Sequence, residues 1–99
     1  MATPVDFHPR ADADALAARR FYARGGASLV ARFLAALDDA IADIGANPGT
    51  GSPHLHNTRV WRLRRFPFHL VYVEEPAGVL VVAVAHDRRR PGHWRRRLP

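Results

Sequence analysis

The residues equipped for chemistry gather late in the chain. His86, Asp87, Arg88, Arg89 and Arg90 follow one another, and a Pro91-Gly92 break leads to His93 and Trp94. A second basic segment, Arg59 to His69, carries Arg62, Arg64, Arg65 and His69. Guanidinium groups stay protonated in proteins, so arginine is no general base, but its planar fork suits an oxyanion. Imidazoles titrate near neutrality and can take or give a proton. These types fit the binding of a phosphate and the movement of protons around it. His54 and His56 form a lone His-x-His with no third ligand nearby, so no metal is expected. The chain has no cysteine, which excludes thiolate chemistry and disulfides and suits a reducing compartment. No cofactor is expected either.

Charge distribution supports an anionic partner. The net charge is +6, and all fifteen basic residues are arginine. Residues 1 to 50 hold five arginines against six aspartates. Residues 51 to 99 hold ten arginines against Glu74, Glu75 and Asp87. The second half is therefore a basic surface suited to RNA, DNA or an acidic protein segment.

Those side chains need a scaffold. Val79 to Ala85 is an unbroken apolar run rich in β-branched residues, too short for a membrane helix. It reads as a strand buried on both faces, which aims the cluster that follows at one place. Arg59 to Arg65 and Phe68 to Val73 alternate with period two and predict two further strands, with Phe66-Pro67 at the bend. Glu74 to Gly78 reads as a hairpin turn, and Thr50 to Asn57 as loop. Upstream, Val5 to His8 alternates as a short strand, and Pro9 suits the first position of a helix. Ala13, Leu16, Ala17 and Phe21 make that helix's apolar stripe, which ends at Gly25-Gly26. Ser28 is a reasonable N-cap for a second helix carrying Val30, Phe33, Leu34, Leu37, Ala40, Ile41 and Ile44 at three- and four-residue steps. Gly45, Asn47, Pro48 and Gly49 are expected to end it. Leu16, Phe21, Phe33, Leu37, Ile41 and Ile44 are the expected core.

The order strand, two helices, three strands predicts one α+β domain over residues 1–99. It is a two-layer sandwich in which an N-terminal helical hairpin packs on a mainly antiparallel sheet. The N-terminal Met-Ala-Thr-Pro-Val-Asp predicts neither a signal peptide nor an anchor, and a cytoplasmic protein with no membrane partner is expected. The abundance of Ala, Arg, Gly and Pro hints at a bacterial genome of high GC content.

Four stretches resemble a known family. They are Phe7-His8-Pro9-Arg10-Ala11, Arg32-Phe33-Leu34, the run from Arg62 to Tyr72, and the run from Ala83 to Trp94. In order and spacing they are similar to toxins of the RelE/ParE superfamily, over nearly the whole chain. The resemblance implies a β-α-α-β-β-β toxin of a type II toxin–antitoxin system, neutralised by a cognate antitoxin. RelE-like members cut mRNA on the ribosome as endoribonucleases (mRNA interferases). ParE-like members poison DNA gyrase without cleaving RNA.

Under the RelE-like reading, Arg88 matches a catalytic arginine after the last strand, and Arg62 and Arg64 match basic residues of an earlier strand. His69 stands where the RNA cleavers often carry arginine. Trp94 stands where they carry tyrosine, and has no hydroxyl to transfer a proton. RNA cleavage needs a base for the ribose 2′-OH and an acid for the leaving oxygen, roles open to His69, His86 and His93. Arg62, Arg64, Arg65, Arg89 and Arg90 can bind phosphate, and Trp94 can stack on a base. The same residues also have plainer roles. His69 and His86 can be hydrogen-bonded sheet residues, Arg88 to Arg90 can grip antitoxin carboxylates, and Trp94 can be packing.

Overall fold

Helix α1, Pro9–Ala23, starts where Pro9 supplies a fixed φ and gives up an N–H that had no partner in any case. His8 caps it, its Nδ1 accepting from the Arg10 N–H at 3.0 Å. The computed structural model describes residues 2–99; Met1 lies outside the described residues. Helix α2, Ala27–Ala46, follows across Gly25-Gly26 and completes an antiparallel hairpin. Its cap is Gly26, not Ser28, which lies in the first turn: the connection needs a φ of 103° at that point, a left-handed value only glycine adopts freely. The helix also runs through Gly45, because that residue is buried against the carbonyl of Thr3.

Five strands make one sheet: β1 (Val5–Phe7), β2 (Ser52–His54), β3 (Thr58–Arg62), β4 (Phe68–Glu75) and β5 (Gly78–His86), in the order β1-β5-β4-β3-β2. Strand β1 runs parallel to β5, and the other pairs are antiparallel. The expected architecture is present, with one strand more than the sequence suggested. Thr50 to Asn57 is not all loop: β2 pairs with β3 at the sheet edge, where Pro53 costs no ladder bond. Strand β3 also stops at Arg62 rather than Arg65, since Arg65 adopts a φ of 66° in the turn to β4.

The helices cover one face of the sheet. Phe33, Leu37, Ala40 and Ile44 of α2 meet Leu70, Tyr72, Val79, Val81 and Val84 from the strands. Tyr22, Phe33, Phe66 and Phe68 form an aromatic cluster in which the Tyr22–Phe66 centroids are 5.0 Å apart. The α1 stripe expected from hydrophobicity is not the buried one. Leu16 and Phe21 are 45% and 60% exposed, whereas Ala11 and Ala18 are buried and Ala15 and Tyr22 pack beside them. Small side chains let α1 lie close against β5, and that approach outweighs burying its two largest apolar groups.

On the opposite face, Val71, Val82 and Ala83 pack against Trp94, with Val60, Leu80 and Leu98 around them. The C-terminal segment thus folds back over the sheet. Strand alternation sends β5 residues to both cores, and a register shift at Val71/Tyr72 leaves the adjacent Val82 and Ala83 in the same one.

Candidate functional site

The run after β5 leaves the sheet at His86, and Asp87 is held there by its N–H, which donates to the Pro67 carbonyl at 2.8 Å. Its carboxylate then reaches across the open sheet face. One oxygen accepts from Arg62 and the other lies 2.9 Å from His69 Nδ1. Arg62 and His69 are register partners on β3 and β4, so strand pairing sets two of the three side chains and the Asp87–Pro67 bond sets the third. This His69–Asp87–Arg62 unit floors a cleft also lined by His54, Arg89, Arg90, His93 and Trp94. Asp87 was legible in the sequence only as a charge. Its role depends on two strands far away in sequence, which no local pattern encodes.

The sequence-predicted site residues divide. Arg62, His69, Arg89, Arg90, His93 and Trp94 line the cleft. His86 does not: it lies on the helix-facing side of β5, its ring edge-on to Phe68 at 5.3 Å, and its Nδ1 accepts from the Arg88 N–H at 3.1 Å. The alternation of strand side chains puts it on the face away from His69. Arg64 lies toward α2, near Asp39 and Asp43, and Arg65 is in the turn. Arg88 is exposed and does not line the cleft. Trp94 is 1% exposed, packed among Val71, Val82 and Ala83 and flanked by the rings of His54 and His56 at about 6 Å. Its ring has no free face for a nucleobase, which corrects the stacking expectation. The indole is the anchor of the C-terminal segment.

Burial shapes the titration of two imidazoles. Desolvation holds His54 below its ordinary value, and His69 nearby adds to this. Desolvation also lowers His93, reinforced by Arg89 and Arg97 and opposed by its bond with the Arg90 carbonyl and by Asp14. Both are therefore poised to be neutral in the fold. Among the described residues, no group of three His, Cys, Asp or Glu is placed to hold a metal ion.

The free edge of β5 beyond β1 is closed by a second carboxylate. Asp14 of α1 accepts from the Val84 N–H at 3.1 Å and from Arg97 at 2.6 Å, while Arg97 also donates to the Val82 carbonyl at 3.0 Å. These bonds tie helix, strand edge and C-terminal turn together. Neither residue stood out in the sequence, because their contact spans most of the chain.

A family model described as the ParE toxin of the type II toxin-antitoxin system parDE matches residues 5–91. The chain belongs to this family. The fold is similar to a solved structure described as the chromosomal ParDE TA system from P. aeruginosa, with a TM-score of 0.66. Identity there is 20%, over 86% of this chain and 96% of that one, a likeness of fold. No curated protein matches the sequence. No helix among the described residues is long and apolar enough to cross a membrane.

Proposed function

We propose that this ParE-family toxin inhibits growth as a non-catalytic inhibitor of DNA gyrase, and that RNA cleavage is not its activity. The observation that carries this reading is the dispersal of the acid–base set. Cleavage needs a base and an acid on either side of one phosphorus atom. Here His86 faces the helices, Arg88 does not line the cleft, Trp94 is buried and offers no hydroxyl, and His69 is engaged by Asp87. His93 remains in the cleft, where desolvation favours its neutral form, and among the candidate imidazoles it is left without a partner placed as the complementary acid.

The neutralising partner is a cognate antitoxin. Leu16 and Phe21 offer it an apolar anchor on α1, with Arg20 and Arg24 alongside for acidic residues; the Arg24 guanidinium lies 6.0 Å from the Phe21 ring centroid. Brief induction, with primer extension on mRNA and mapping of gyrase-linked DNA breaks, tests the reading. DNA breaks without new mRNA ends are expected. New mRNA ends without breaks would overturn it.

A further inference from the structure

A dense group of arginines lies beside the cleft and shares Arg90 and His93 with its rim. Arg10, Arg90, Arg95, Arg96 and Arg97 line an open basin with His56, His93, Leu55, Pro91 and Gly92. No carboxylate lines it. Arg97 is committed to Asp14, but none of the ion pairs among the described residues involves Arg10, Arg90, Arg95 or Arg96.

These cations are not a loose tail. The buried Trp94 ring and the Arg97–Asp14 pair clamp the short turn Arg95–Arg97 to the sheet, so Arg95 and Arg96 project from a fixed base. Gly92, at a φ of 83°, makes the reversal that brings this turn back beside Arg90. The basin therefore presents four unpaired guanidinium groups from three separate elements over one surface.

We propose that this basin binds the sugar–phosphate backbone of duplex DNA without sequence preference. Phosphate charges recur along a duplex about every 1.7 Å of its axis, which matches a spread of separate cations better than a single small anion does. An acidic peptide would need apolar anchors, and Leu55 is the one large apolar side chain here. Single-stranded nucleic acid is usually held by exposed aromatic rings on which bases stack. The two tryptophans do not provide them: Trp94 is buried and Trp61 lies outside the basin, bonded to Asp43. Such a hold on DNA would serve a gyrase inhibitor, yet it does not depend on gyrase being the target.

The test is fluorescence anisotropy of the full chain with a short mixed-sequence DNA duplex and a single-stranded RNA of the same length, across a salt series. With up to four phosphate contacts, log K should fall against log salt with a slope of about −3 to −4. Arg95→Gln/Arg96→Gln should flatten that slope by about 2 and weaken duplex binding roughly tenfold or more at low salt. Arg10→Gln/Arg90→Gln should do the same, and both variants should keep the wild-type melting temperature. Arg19→Gln/Arg32→Gln removes equal charge outside the basin and should leave affinity within about twofold. No duplex binding at low salt, equal losses in all three variants, or preference for the RNA would each overturn the proposal.

Discussion

Trp94→Ala should destabilise the whole domain rather than edit a binding surface. A tryptophan side chain buries roughly 200–250 Å² of largely apolar area, worth about 5–6 kcal/mol at ~25 cal/mol per Å². A denatured chain that is already partly collapsed lowers such a figure by roughly 10–40%. The remaining 3–5 kcal/mol agrees with the usual cost of about 3–5 kcal/mol for truncating a buried aromatic. The local setting favours the upper part of that range. The ring is 1% exposed and touches Val71, Val82 and Ala83, all buried strand residues that cannot collapse into the space. Total stability for a domain of this size is only about 5–15 kcal/mol, so the loss is a large share of it. Urea unfolding followed by far-UV circular dichroism checks this, and the midpoint should drop with little change in slope. Trp94→Phe should retain most of the stability. If Trp94→Ala cost less than about 1 kcal/mol, the typical range for an exposed position, the indole would not be the anchor described here.

Two further predictions use the same logic. Leu37→Ala should cost about 2–5 kcal/mol, because Leu37 is buried under α2, whereas Phe21→Ala should change stability by less than about 1 kcal/mol yet weaken antitoxin co-purification. Stability should also fall on acidification. His54 and His93 take up protons less readily in the fold than in the unfolded chain, so the unfolded state binds more protons as pH drops through about 6.5. Thermal melts from pH 7.5 to 5 should show this, and His93→Gln should flatten the acid limb; an unchanged limb in that variant would remove His93 from the explanation.

The sequence by itself determined both long helices, the strands other than β2, and their order. Period-two alternation in Trp61 and Val60, the Val79–Ala85 run, and the three/four spacing of Phe33, Leu37, Ile41 and Ile44 are local signals, and local geometry is what periodicity reports. Most of the chemical residues of the cleft were also visible as types, Arg62, His69, Arg89, Arg90 and His93 among them, whereas Arg10, Arg95, Arg96 and Arg97 of the basin were not singled out until the fold brought them together.

Tertiary structure decided which of them meet. His86 and His69 both read as strand-end imidazoles, yet pairing and parity put them on opposite faces of one sheet. Asp87 became a hub only because β3 and β4 align Arg62 with His69 beneath it. On α1 the larger apolar groups lost to alanines, because the distance between helix and sheet is a property of the packed pair and not of either sequence segment. Trp94 likewise was open in the sequence to two roles, stacking on a base or packing. It is buried because the chain reverses at Gly92 and because Arg97 finds Asp14 across nearly the full length of the sequence, a contact that exists only once the sheet has formed.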